Sequence, residues 1–440
     1  MNVLFISLGC DKNLVDTEVM LGLLAKKGYK MTDDETTADV IVVNSCCFIN
    51  DAKEESIQTI LDMARYKEQG NLKALIVTGC LAQRYKQEII DEIPEVDAVL
   101  GTTSYANIVD AIEEALKGHS EVIMEDLQAL PYVESKRLVT TGGHYAYIKI
   151  AEGCDKHCTY CIIPKVRGEF RSRNMEDIIE EATYLAEQGV KELILVAQET
   201  TMYGKDIYGK KSLPELLRKL CKIDGLQWIR ILYCYPEEIT DELIEVMKEE
   251  KKICHYLDLP IQHANDDILK RMGRRTSKQE LIDIVGKLRK EIPDICLRTT
   301  LITGFPGETK EQHEELMNFV DEMEFDRLGV FTYSMEEDTP AARFDNQIDE
   351  EVKLDRQAEL MELQQEVAFD NAEEMIGREV LVMIEGKVAD ENAYVGRTYK
   401  DAPGVDGLIF VNTDVELMSG DFARVKVTGA MDYDLIGGLV

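Results

Sequence analysis

Six of the eleven cysteines in this 440-residue chain stand just beyond short β-rich runs, and that placement constrains the fold more than any other feature. Asn2–Ser7, Val40–Asn44 and Ala74–Thr78 read as strands. Each is followed by a polar turn and then by helical periodicity, over Asn13–Lys27, Asp51–Glu68 and Gln83–Glu92. This alternation predicts a parallel α/β sheet, whose strand carboxyl ends lie along one edge where ligands bind. Cys10, Cys46 and Cys80, in LGC, NSCC and TGC, fall within a few residues of those ends. Three cysteines far apart in sequence are therefore expected to converge in space. Inert buried cysteines would do so only by coincidence, so the pattern points to an iron–sulfur cluster on three thiolates. Cys47 competes with Cys46, and spacing alone does not choose between them.

Cys154, Cys158 and Cys161, in AEGCDKHCTYCIIPKVRG, form a second triad spaced by three and then two residues. Tyr147–Ala151 reads as a strand, so this loop too begins at a strand's carboxyl end. Three thiolates bind three irons of a 4Fe–4S cube and leave the fourth open. Electron-transfer clusters normally take four cysteines, so an open iron points to chemistry. A zinc knuckle would need a further cysteine pair or histidines at set spacing, and only His157, inside the loop, is near. The run resembles the radical S-adenosylmethionine signature, which implies that S-adenosylmethionine chelates the open iron.

Composition narrows the class. A hydrophobic fraction of 45% is ample for buried cores, and the length suits about three domains at ~150 residues each. An odd number of cysteines, six of them in two triads, argues against a secreted disulfide framework and for a reducing compartment. MNVLFISLGC lacks the basic start of a signal peptide, and no run approaches the ~18 apolar residues of a membrane span. A cytoplasmic protein without membrane association is expected. The net charge of −34 repels RNA over most of the surface and should attract a basic macromolecule.

The chain divides by pattern into an α/β domain over 1–117, a linker over 118–139, a second α/β domain over 140–370 and a small β-barrel over 371–440. In the second, Tyr147–Ala151, Glu192–Ala197, Trp228–Leu232, Tyr256–Pro260, Cys296–Thr303 and Arg327–Tyr333 read as strands of an open or partial (β/α)6 barrel with function at the carboxyl-end loops. Glu350–Met375 reads as a charged amphipathic helix ending at Gly377. Beyond it, Glu379–Glu385, Gly386–Ala389, Gly407–Phe410, Asp421–Val427 and Asp432–Ile436 suggest a barrel of the oligonucleotide-binding kind. Thirteen acidic against six basic residues from Asn371 to Val440 argue against RNA as its main partner.

These features together resemble the methylthiotransferase family over essentially the whole chain. SLGCDKNLVDTE, VNSCCFI, TGCLAQRY, GCDKHCTYCIIPKVRGEFRSR, LPIQHANDDILKRMGRR and TGFPGET are similar to its ribosomal-protein-modifying, RimO-type branch. The tRNA-modifying branch usually has glutamine and methionine after the first cysteine, where this chain has Asp11 and Lys12. Ser45 and Glu199 stand where the family and the branch more often have threonine and aspartate. The resemblance implies an amino-terminal cluster domain, a radical S-adenosylmethionine barrel and a TRAM barrel. It implies two 4Fe–4S clusters, on Cys10, Cys46 and Cys80 and on Cys154, Cys158 and Cys161, with Cys46 preferred over Cys47. It further implies that a deoxyadenosyl radical removes hydrogen from the β-carbon of an aspartate in small-subunit ribosomal protein twelve, a basic partner. The other cluster delivers sulfur, and a second S-adenosylmethionine supplies the methyl group. Sulfur and electron donors are required by this chemistry and carry no signature in the chain.

Other candidates rest on position. Tyr160, Gln198, Gly304 and Gly307 are expected near the cofactor, with Gln262 and His263 at the barrel mouth, although a plain turn or a satisfied polar pair would give the same pattern. Lys165, Arg167, Arg171 and Arg173 follow the second triad, and Lys270, Arg271, Arg274 and Arg275 form another basic island. Such runs are often solvated charge, yet arginine's planar fork suits carboxylates, and Arg171 and Arg173 are the candidates for substrate. Cys221, Cys234, Cys254 and Cys296 read as buried thiols, and Trp228 as core. The rivals are a tRNA methylthiotransferase with the same chemistry and a non-catalytic iron–sulfur ribosome-binding module. The latter would need a fourth ligand at each cluster, and no cysteine is suitably spaced.

Overall fold

The computed structural model describes residues 1–131 and 136–440 in two compact units. One gathers Met1–Thr140, Ala151–Arg173 and Ser334–Ala342, and the other Thr141–Ile150, Asn174–Tyr333 and Arg343–Val440.

The first unit is built on six parallel strands: β1 (Asn2–Ser7), β2 (Lys30–Met31), β3 (Val40–Ser45), β4 (Ala74–Gly79), β5 (Ala98–Leu100) and β6 (Glu121–Ile123), in the order β2-β1-β3-β4-β5-β6. The central β3 and β4 are continuous apolar runs because helices cover both faces of a parallel sheet, and every residue in them is buried. Period-two alternation divides their side chains. Ile41, Val43, Leu75 and Val77 pack with Ile60 and Leu81 on one face. Val40, Val42, Ala74 and Ile76 pack with Met20, Leu24 and Ile112 on the other. The edge strand β6 lies in the stretch expected as a linker; its three residues are only half-buried, so it lacks the apolar run that marks β3 and β4. Residues 132–135 of that stretch lie outside the described residues.

The second unit opens with the expected parallel sheet. Its strands Tyr145–Lys149, Glu192–Val196, Trp228–Ile231, Ile253–Asp258, Cys296–Thr303 and Arg327–Thr332 lie side by side in chain order. The fourth begins three residues earlier than Tyr256, because Ile253 and Cys254 are buried despite the neighbouring His255. Helix Glu350–Glu373 follows and buries Leu360, Gln364, Ala368 and Ala372.

The terminal five-stranded barrel is closed, and its strand assignment needs two corrections. Glu379–Glu385 and Gly386–Ala389 are not separate strands. Glu379–Lys387 runs through continuously, with a register shift between Ile384 and Gly386 that absorbs the glycine. Ala393–Arg397, which was not anticipated, pairs with it and with Ile409–Asn412. Phe422–Met431 and Asp434–Leu439 complete the barrel. Its Arg397 donates to Glu192 at 2.6 Å, and Arg230 donates to the other oxygen of the same carboxylate at 2.7 Å. Among the described residues, no helix is long and apolar enough to cross a membrane.

Candidate active site: two cysteine triads

The amino-terminal triad is assembled by register. In the adjacent strands β1, β3 and β4, Ser7 is opposite Asn44, Asn44 opposite Thr78 and Ser45 opposite Gly79. Cys46 and Cys80 directly follow that last pair, and Cys10 caps helix Asp11–Lys26. Two glycines permit the approach. Gly9 has φ +84°, and a Cβ there would fall 2.7 Å from the Cβ of Cys46. Gly79 has φ +92°, and its Cβ would fall 2.4 Å from Asn44 Oδ1. Asn13 Nδ2 donates to Leu8 O and Ser45 O, both at 3.0 Å, which ties the turn carrying Cys10 to the end of β3. Asn44 Nδ2 donates in return to Asn13 O at 2.8 Å.

Burial pushes the Cys46 thiol up to about 12, and the nearby thiols of Cys80 and Cys10 add to the effect. Burial also raises Cys80, against the pull of Arg167. Cys10 is thus a near neighbour of both Cys46 and Cys80. Cys47 packs in the apolar core with Ile41, Ile60, Leu81 and Cys80, and burial raises its thiol, with Cys80, Arg84 and Cys46 as neighbours; Cys46 is the one that lies against the turn carrying Cys10, beside Gly9.

The second triad lies in the same compact unit. Ala151–Glu152 pairs antiparallel with Arg171–Ser172, which closes the intervening residues into a loop. Cys154 N donates to Gly168 O at 3.2 Å and Cys161 N to Cys158 O at 3.0 Å. Helix Ile163–Arg167 begins with proline in its first turn. Ile162 and Val166 enter the core of Leu81 and Val99, while Thr102 Oγ1 donates to Val166 O at 2.7 Å. Burial raises Cys161, with Cys158 and Cys154 adding to it. His157 is exposed, and Tyr160 is half-buried on the loop.

Sequence reasoning missed the segment Ser334–Ala342. Ala341 N donates to Thr159 O at 2.9 Å and Lys165 Nζ to Asp338 O at 2.8 Å. The buried carboxylate of Glu336 pairs with Lys53 at 3.0 Å and Arg84 at 2.8 Å. Asn50 N donates to Ser334 Oγ at 3.1 Å. In sequence this stretch offers only an acidic run, which reads as solvated.

Arg171 donates through Nη1 and Nη2 to Arg167 O, both at 3.1 Å, and through Nη1 to Glu169 O. Its fork therefore shapes the loop; Arg173 is half-buried beside it in sequence. In the other unit, Gln198 follows strand Glu192–Val196, while Gly304 and Gly307 follow Cys296–Thr303. Gly304 N and Phe305 N donate to Glu308 Oε2. Gln262 Oε1 and Thr303 Oγ1 are buried without a hydrogen-bond partner. Orphaned acceptors beyond neighbouring strands fit a polar ligand. The second basic island is structural in part, since Arg274 donates to Pro260 O at 2.9 Å and lies 4.3 Å from the Tyr235 ring centroid. Cys221, Cys234, Cys254 and Cys296 are buried free thiols.

All six triad cysteines are free thiols. Among the described residues, no three His, Cys, Asp or Glu side chains converge as ligands of one metal ion. In a cubane each thiolate binds its own iron, so a donor set made of free thiols alone fits a cluster.

Residues 2–101 match Uncharacterized protein family UPF0004, 148–320 the Radical SAM superfamily and 376–440 the TRAM domain. The Ribosomal protein uS12 methylthiotransferase RimO of Lachnoclostridium phytofermentans is 66% identical over 437 residues, 99% of each chain. Its counterpart of the same name in Clostridioides difficile is 52% identical over 434 residues, 99% of this chain and 98% of that one. Among solved structures, the radical S-adenosylmethionine methyltransferase TsrM of Kitasatospora setae is similar in fold, with a TM-score of 0.55 at 14% identity over 86% of this chain and 78% of that one. The cysteine triads thus stand in a chain that belongs, along nearly its full length, to the RimO family of radical S-adenosylmethionine methylthiotransferases.

Proposed function

We propose that this enzyme transfers a methylthio group to the β-carbon of an aspartate in ribosomal protein uS12, in the cytoplasm. The observation that carries this reading is the presence of both cysteine triads in one compact unit. Membership of the family implies one 4Fe–4S cluster and S-adenosylmethionine. The second cluster, on Cys10, Cys46 and Cys80, is part of the proposal, as is the division into domains at 1–117, 118–139, 140–370 and 371–440.

Cys154, Cys158 and Cys161 would hold the first cluster. When bound, it supplies the electron for reductive cleavage of S-adenosylmethionine and so the means to activate an inert C–H bond. The protein contributes position and dryness. Ile162 and Val166 anchor the loop in the core, and Cys154 and Cys158 are buried. Gln198, Gly304 and Gly307, all in the second unit, are assigned to S-adenosylmethionine. Glu308 braces Gly304 by accepting from the backbone of Gly304 and Phe305, and Gly307 N donates to Asn346 O at 2.8 Å. Arg173 is assigned to the target carboxylate, with Arg171 holding the loop that presents it. The net charge of −34 attracts a basic ribosomal protein and raises its rate of encounter.

Mass spectrometry of ribosomal proteins and tRNA from cells with and without the gene tests this. The expected result is loss of one methylthio group from uS12 with tRNA unchanged. Loss confined to a tRNA base would overturn the choice of substrate.

A further inference from the structure

Arg167 carries a full charge in the interior of the first unit, where burial of an ion is costly unless it is paired. The side chain is 2% exposed. Its Nη1 pairs with Asp16 at 2.9 Å and Glu152 at 3.3 Å, its Nη2 donates to Asn13 Oδ1, and its Nε donates to Cys80 Sγ at 3.4 Å. The places these partners occupy in the chain are informative. Asn13 and Asp16 belong to the helix capped by Cys10. Cys80 opens the helix after β4. Glu152 lies two residues before Cys154, and Arg167 itself six residues after Cys161. One guanidinium therefore touches an element of each triad. Buried ion pairs are poor sources of net stability compared with apolar packing of the same volume, so the arrangement calls for another role.

We propose that Arg167 is a positioning residue that fixes the loop of Cys154–Cys161 against the triad of Cys10, Cys46 and Cys80, and that its N–H···S contact sets the reduction potential of the cluster on that triad. The proposal rests on the assignment of a second cluster to that triad. Hydrogen bonds to sulfur and local charge are the levers by which proteins tune such potentials. A cation beside the Cys80 sulfur favours the state that has gained an electron. The couple takes up one electron from an added reductant such as dithionite, and Arg167 keeps its proton throughout. Only arginine can do this from one position, because its planar fork offers five donors in fixed directions, whereas lysine is a point charge.

The test uses the full-length, cluster-loaded enzyme with Arg167→Lys and Arg167→Gln. The readouts are iron per chain and a dithionite redox titration followed by electron paramagnetic resonance. Cys→Ala variants of each triad assign the two signals. The expected result is that the lysine variant keeps its iron, while the amino-terminal signal moves to more negative potential and the other stays in place. The glutamine variant should move further in the same direction. Selective loss of amino-terminal iron would also support positioning. Wild-type potentials in the lysine variant would overturn the proposal, as would equal iron loss from both triads. If Cys10→Ala, Cys46→Ala and Cys80→Ala each keep full iron, the two-cluster reading itself fails, a result separable from any effect at Arg167.

Discussion

Arg84 and Glu336, 252 residues apart in sequence, meet at 2.8 Å with both side chains almost wholly removed from water. Lys53 completes the arrangement at 3.0 Å from the same carboxylate. Removing one partner of a buried ion pair leaves an uncompensated charge, which costs about 3 kcal/mol or more. Glu336→Ala should therefore lower the stability of the protein by that order in a denaturant titration. Glu336→Gln should lose less, because it keeps an acceptor. A stability change within ~0.5 kcal/mol for the alanine variant would show that the segment Ser334–Ala342 does not hold the unit together.

The cysteine triads should separate by role. Alanine at Cys154, Cys158 or Cys161 is expected to remove about half the iron and abolish deoxyadenosine formation, given three thiolates per cluster. Alanine at Cys10, Cys46 or Cys80 should remove the other half and leave S-adenosylmethionine cleavage detectable. Cys47→Ala should keep both clusters, because its thiol packs with Ile41 and Ile60 rather than with Cys10. Cluster loss in Cys47→Ala, with iron retained in Cys46→Ala, would reverse the assignment.

Gly79→Ala is the sharpest backbone test. The position has φ +92°, and the added carbon would meet Asn44 Oδ1 at 2.4 Å and Ser45 O at 2.5 Å. Left-handed strain of ~1–2 kcal/mol combines with a clash against backbone that cannot move freely. Iron at the amino-terminal triad should fall while iron at the other is retained. Normal iron at both sites would mean that the turn relaxes without displacing Cys80.

Acid should weaken the loop Gly304–Glu308. Burial disfavours the charge on Glu308, but the imidazoles of His263 and His313, 3.7 and 3.5 Å from its Oε1, and Arg356, 3.5 Å from its Oε2, hold its pKa down at about 2. A depressed carboxylate stabilises the folded state above its unfolded pKa and loses that contribution as pH falls through the folded value. The window runs from about pH 4.5 to about 2. The stake is on the order of 3 kcal/mol, at 1.36 kcal/mol per pKa unit. The stability gap between the wild type and Glu308→Gln should narrow across that window; a constant gap would show that the charge contributes nothing.

The central strands were legible because β3 and β4 are unbroken apolar runs, and the cysteines directly after them announced the edge on which they meet. The carboxyl-terminal barrel was legible in kind but not in detail. Gly386 reads as a break when it marks a bulge, and Ala393–Arg397 hides its role behind Arg397, whose charge meets Glu192 and Glu385 once the chain is folded. Arg167 looked like one more solvated cation in a basic run, since its partners Asp16 and Asn13 lie more than 150 residues earlier. Glu336 was hidden for the same reason. Local pattern reports which face of an element is apolar, but not which distant charge will be buried against it.

The carboxylate of Glu192, shared between Arg230 and Arg397, makes the last domain hard to exchange. A chimaera carrying a foreign barrel, or an enzyme cut before Glu379, would leave Glu192 with Arg230 alone and one carboxylate oxygen stripped of its partner at the root of the second strand. Recombination at this junction must therefore carry all three residues together, and shortening the chain should damage the catalytic sheet rather than merely remove an appendage.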